Sequence, residues 1–171
     1  MSKTAKTTAF LKECLSDSLL KLMGQKPFAK ITVDEIALGA GVNRSTWFRN
    51  YSSKTDALAF KLEQQWRRWS GERELPEYGR FTLDNAADFF RFSYDNRQIL
   101  TAIWDAGLYP TVYEAFYRIM KPHFGDGSYD GYQSRFFSYG LFGLLTEWIK
   151  RDFRESPEEM FRLFQHMIRK R

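Results

Sequence analysis

Apolar residues recur along this chain at the three- and four-residue spacing of helices, and no stretch shows the strict alternation of a strand. Leu11, Leu15, Leu19 and Leu22 form one stripe, which predicts a helix over 5–23 closed by Gly24. The linker QKPFAKI follows, with Phe28 and Ile31 as apolar anchors. Thr32 with Glu35 three residues on is the capping-box pattern, so a short helix is expected over 32–39, with Ile36 and Ala37 inward. Gly39-Ala40-Gly41 supplies a turn, and Asn43 is a capping residue type opening a second short helix, 43–50. Ser52-Ser53-Lys54 interrupts it, and a longer helix runs from about Ser53 to Trp69. The polar stretch SGERELPEYGRF, 70–81, reads as a connection. Further helices are expected near 82–92, 95–106, 110–123, 130–153 and 157–169. The last is well marked, with Ser156 as N-cap, Pro157 at the first helical position and Glu159 completing a capping box. The expectation is an all-α fold, with a three-helix unit over 1–60 and a compact helical domain over 61–171.

Charge sharpens that division. The net charge of +5 is unevenly placed: residues 1–70 carry 12 Lys/Arg against 6 Asp/Glu, and residues 71–171 carry 14 against 15. A small basic module on a near-neutral body is the electrostatic pattern of a nucleic-acid binder. The one cysteine, Cys14, has no internal partner for a disulfide, which fits a reducing cytosol, and is expected to be a small core residue. No apolar run reaches the roughly 18 residues a membrane span needs, and the N-terminus lacks the apolar stretch of a secretory signal. A cytoplasmic protein with no membrane contact is therefore expected.

Two short helices, joined by a glycine-containing turn and preceded by a supporting helix, have the layout of a helix-turn-helix. In that motif the second helix enters the DNA major groove. Arg44, Ser45 and Arg49 would then project toward bases while Trp47, on another face, packs into the small core. The run ITVDEIALGAGVNRSTWFRNYSSKTDAL, 31–58, resembles the DNA-binding module of the TetR family of bacterial transcriptional regulators. Thr32, Val33, Ile36, Ala37, Ala40, Gly41, Val42, Thr46 and Lys54 match the family pattern in place and spacing. The likeness extends over about residues 8–60. It implies base reading by Arg44, Ser45 and Arg49, behind Asn43 at the helix start. It implies phosphate holding by Thr32, Thr46, Asn50 and Lys54. A cation such as Lys54 is unfavourable at a helix N-terminus, and a phosphate would offset that. Two positions depart from the family: Phe48 stands where a tyrosine often reaches phosphate, and Tyr51 stands where a phenylalanine packs.

The aromatic residues beyond position 80 are mainly core. The resemblance implies that this domain binds a small effector and forms a dimer, and Trp104, Tyr113, Tyr117 and Phe137 are the candidates for lining a pocket. On the 130–153 helix, Phe136, Gly140, Gly143 and Glu147 share one face, where small residues admit a close helix; Phe161 and Phe164 of the last helix join them as candidate dimer contacts. Phe137, Leu141, Leu144, Leu145 and Trp148 form an adjacent apolar face. Enzyme chemistry has little footing. His123 and His166 lack ligand-spaced partners, and there is no phosphate-binding glycine loop or nucleophile elbow, so neither metal nor cofactor is expected. The reading is a homodimeric regulator, a repressor, that binds a palindromic double-stranded operator and answers to a small molecule. A second reading keeps the fold in an interaction protein with little DNA affinity.

Overall fold

A computed structural model of the chain describes residues 3–75, 83–120 and 127–169. Its described elements are helical: α1 Lys3–Met23, a 3₁₀ turn Phe28–Lys30, α2 Val33–Gly39, α3 Arg44–Asn50 and α4 Lys54–Glu72. Then come α5 Leu83–Asp95, α6 Arg97–Asp105, α7 Tyr109–Met120, α8 Ser128–Lys150 and α9 Pro157–Arg169. The capping pairs behave as their chemistry requires. Thr32 Oγ1 accepts from the Glu35 amide while the Glu35 carboxylate takes the Thr32 amide at 2.9 Å. Ser53 accepts from the Asp56 amide at 3.0 Å, and Ser156 and Glu159 close the box that starts α9.

Helix ends explain where expected and observed boundaries differ. The expected 130–153 helix begins two residues earlier, at Ser128, and stops at Lys150. It stops because Asp152 and Phe153 adopt left-handed backbone, with φ of 54° and 52°. The Asp152 and Phe153 amides return to the carbonyls of Ile149 and Trp148, closing the last turn. That reversal lays the Phe153 ring 4.9 Å from Trp148, whose Nε1 donates to the Glu155 carbonyl at 3.0 Å. In contrast, α4 runs three residues past Trp69, to Glu72. Positions 76–81 of the expected 70–81 connection fall outside the described residues, as do positions 121–123 of the expected third body helix.

One continuous core joins the N-terminal head to the body. In the head, α1 contributes Leu15 and Leu19, α2 contributes Ile36, α3 contributes Trp47, and Tyr51 closes the set. From α4, Leu58 and Leu62 carry the core onward to Phe90, Phe92, Leu100, Ile103, Leu141, Leu145 and Trp148. Helix α4 packs on α1 on the head side and on α7 on the body side, so a boundary drawn at 60/61 falls inside it. At its far end Trp66 and Trp69 stack at 5.7 Å, and both meet Phe92 of α5 edge-on, at 5.2 and 5.8 Å. Trp69 Nε1 also donates to Asp95 at 2.7 Å. Cys14 is half-buried at the margin of the head instead of inside the core.

Candidate nucleic-acid interface

The turn between α2 and α3 sets the geometry of the site. Gly41 has φ +66°, its amide returns to the Leu38 carbonyl, and the Val42 amide returns to Ala37. This is the two-bond closure that ends a helix on a left-handed residue, and glycine suits it because it has no side chain to clash. The chain then enters α3 in the new direction. Trp47, 2% exposed, drives one side of α3 into the core and meets the Tyr51 ring at 5.2 Å. A seven-residue helix is too short to persist alone, so this buried ring area is what holds α3 in place.

The opposite side of α3 is open. Arg44, Ser45, Phe48 and Arg49 are exposed, and Thr46 and Asn50 are half-exposed. Of the residues expected to face DNA, six therefore lie together on or beside one face. Their polar groups are already organised. Arg49 donates from Nε to the Ser45 carbonyl and from Nη2 to Ser45 Oγ, at 3.2 and 3.0 Å. Asn50 donates to the Thr46 carbonyl at 2.7 Å. Asn43 occupies the N-cap position in extended backbone, but its side chain makes no capping bond, so the expected cap is positional only. Its side chain is exposed, and so is Thr32 at the start of α2, whose hydroxyl is engaged by Glu35.

Lys54 departs from expectation. Its ammonium donates to the carbonyls of Phe28 and Ile31, at 2.7 and 2.9 Å, and stands 4.4 Å over the Phe28 ring. Burial lowers its pKa. The cost of a cation at the α4 N-terminus is thus offset inside the protein by two carbonyls at the 3₁₀ turn, of which Phe28 also accepts the Ile31 amide. Lys54 ties the start of α4 to the segment that presents Thr32. Glu35 is fixed beside it: an ion pair with Lys26 and bonds from the Thr32 amide and hydroxyl hold its carboxyl down at about 2. Tyr51 keeps the aromatic packing of the position and adds a bond, its hydroxyl donating to the Lys12 carbonyl of α1 at 2.9 Å. Burial pushes that phenol's pKa well above its usual value.

In the body, the four expected pocket residues do not converge. Tyr113 and Tyr117 stack with each other and meet Tyr139 and Arg135 on one flank of α8, with the Tyr113 and Tyr139 centroids 4.3 Å apart. Trp104 lies instead against Tyr109, and Phe137 lines a separate groove with Phe164, Met167 and Ile168 of α9. Of the expected dimer contacts, Phe136, Gly140, Gly143 and Glu147 are all exposed on one face of α8. Phe161 is half-buried, and Phe164 is core, 5% exposed and edge-on to Phe90. The reason is its register on α9: Met160 and Phe164 share the inward face, while Leu163 and Met167 point outward at 46% and 57% exposure. His166 is exposed, His123 lies outside the described residues, and no metal-holding group of His, Cys, Asp and Glu occurs among the described residues. Among those residues no helix is long and apolar enough to cross a membrane.

A two-helix unit with a left-handed glycine turn, an exposed basic second helix and a helical body is a helix-turn-helix DNA-binding class of architecture. Residues 16–59 match the family described as bacterial regulatory proteins, tetR family, and residues 83–170 match that described as transcriptional regulator C-terminal region. The chain belongs to the TetR family of bacterial transcriptional regulators. No curated protein matches it. Sequence reasoning passed over three features of the site. Asp34 beside Arg44 and the Lys54 carbonyl bonds depend on contacts between separate elements, which spacing does not encode. The further exposed rings of α8, Tyr129, Tyr132 and Tyr139, are legible from their three- and four-residue spacing with Phe136.

Proposed function

We propose that the protein is a homodimeric repressor whose two α3 helices read the half-sites of a palindromic operator, and which a small molecule releases from DNA. The observation that carries the DNA reading is the division of α3: Trp47 is buried, and Arg44, Ser45, Phe48 and Arg49 are open to solvent. A helix held from beneath by one large ring presents its polar face as a rigid unit, which base recognition in the major groove requires.

Dimerisation is supported by the α8 face. Tyr129, Tyr132, Phe136 and Tyr139 are 58–80% exposed there, beside Gly140 and Gly143. A side chain at either glycine would meet nothing within 4 Å, so the protomer's own packing gives no reason for them. A second copy seated on α8 and on Leu163 and Met167 of α9 covers the rings and uses the glycines for close approach. Effector control is supported by the route from body to head along α4, and by the match of the body to a regulator C-terminal region.

Two observations favour the alternative of an interaction protein with little DNA affinity. Phe48 has no hydroxyl for phosphate, and Lys54 is engaged by carbonyls. A gel shift with the DNA upstream of the protein's own coding sequence separates the two. Retarded, competitor-resistant complexes are expected; a mobility no different from that with random DNA favours the alternative.

A further inference from the structure

Arg44 is paired before any DNA arrives. Its Nε lies 3.1 Å from Asp34 Oδ1 in the first turn of α2, and its guanidinium carbon stands 5.3 Å over the centre of the Phe48 ring. The two charged side chains are 64% and 71% exposed. Ion pairs so open to water contribute little to holding a fold together. Asp34 suits the positive end of α2, but Arg44 places a cation at the positive end of α3, where the helix itself does not favour it. The pair therefore joins two helices at the face that would meet DNA, at a point where neither the core nor the helix ends require it.

We propose that Asp34 is a specificity-determining residue: it positions Arg44 for a guanine and opposes docking on DNA that offers Arg44 no such base. The proposal rests on the reading of α3 as the recognition helix. An arginine held through Nε retains its terminal Nη1 and Nη2 edge, the edge that pairs with guanine O6 and N7. The carboxylate on one side and the Phe48 ring on the other restrict a side chain that otherwise has many rotamers, so less freedom is lost when the base is met. The second half of the role is repulsive. On a wrong sequence Arg44 is drawn to the nearest phosphate, and Asp34 is left as an unpaired anion against a polyanion. Discrimination through an element that penalises the wrong partner is a general route to specificity. The resembled family's tyrosine would put a hydroxyl at position 48, where this chain has an unsubstituted ring under the guanidinium.

The test is a double-mutant cycle. Wild type, Asp34→Asn, Arg44→Ala and the double variant are titrated at one fixed salt concentration. The probes are the tightest duplex selected from a random pool, its single-base variants and an unrelated duplex. Asp34→Asn is expected to keep its far-UV circular dichroism and to bind the unrelated duplex as well as wild type or better. Its preference for the selected duplex should fall by about 3- to 10-fold, with the loss confined to the base position that Arg44→Ala also relaxes. In the Arg44→Ala background, the Asp34 change should have no further effect on base preference. If Asp34→Asn still altered base preference there, Asp34 would be reading a base itself, as a carboxylate can with cytosine N4, and the positioning role would be wrong. An equal change on every duplex would reduce Asp34 to bulk charge. Wild-type protein with no affinity for any duplex would remove the recognition-helix reading as well, which the other outcomes leave standing.

Discussion

At the residue scale, Lys54 and Glu35 show how the head is made rigid. Both lie beside Thr32, and both are held by partners within the protein. If Lys54 serves the 3₁₀ turn and not a phosphate, Lys54→Met takes the Lys54 donor from the Ile31 carbonyl, leaves Phe28 with the Ile31 amide alone, and lowers stability by about 1–3 kcal/mol. The salt dependence of DNA binding should be unchanged. A slope of log affinity against log salt smaller by about one would return Lys54 to the phosphate-holding role. Glu35 gives a pH signature. Its folded-state carboxyl sits at about 2, below the ordinary 4.5, so its stabilising contribution is present above 4.5 and is lost as pH falls toward 2. Melting temperatures taken from pH 5 to 2 should therefore fall more steeply for wild type than for Glu35→Gln. Parallel curves would mean that the Lys26 and Thr32 partners do not hold the charge. Glu35 was legible in the sequence because a capping box is local. The Lys54 bonds were not, since they reach back 23 and 26 residues, and the Tyr51 hydroxyl reaches 39.

At the element scale, the helices follow from their caps and stripes, and two of the misplaced ends lie beside left-handed residues that no pattern announces. Glu74, Asp152 and Phe153 take positive φ without being glycine, so the ends of α4 and α8 were not readable from composition. The exposed face of α8 was readable, because Phe136, Gly140, Gly143 and Glu147 follow helical spacing. Its test uses the open space at Gly143. Gly143→Leu meets nothing within the protomer and removes a poor helix former, so helix content should hold or rise slightly. If a second copy packs there, the same change wedges the helices apart, and sedimentation should show a shift from dimer to monomer. An undisturbed dimer would place the interface elsewhere.

At the scale of the whole molecule, head and body are linked through α4. Its end is clasped by Trp66, Trp69 and Phe92, and its middle is tied to α7 by Arg118, which lies 3.4 Å from Glu63 of α4 and 3.3 Å from Glu114 of its own helix. A ligand in the body changes DNA affinity only if it favours one arrangement of that link over another. Trp66→Ala loosens the clasp, so a ligand that raises the melting temperature should still do so in this variant while releasing DNA incompletely. Equal release from both proteins would show that coupling bypasses the tryptophans. The basic head on a near-neutral body was plain from the charge distribution, whereas the failure of the four aromatic pocket candidates to converge was not. Trp104, Tyr113, Tyr117 and Phe137 sit at different register positions on three helices, and only the packing of α6, α7 and α8 decides which of them meet. The central claim is that two α3 helices read a palindrome, and the most direct measurement is a stoichiometric titration of the tightest duplex selected from a random DNA pool. The account predicts a palindromic sequence bound by two chains per duplex, with Arg44→Ala weakening that complex by about 1–3 kcal/mol per half-site and binding of unrelated DNA much less affected. A selection that recovers no common sequence, or a complex that Arg44→Ala leaves unchanged, would contradict it.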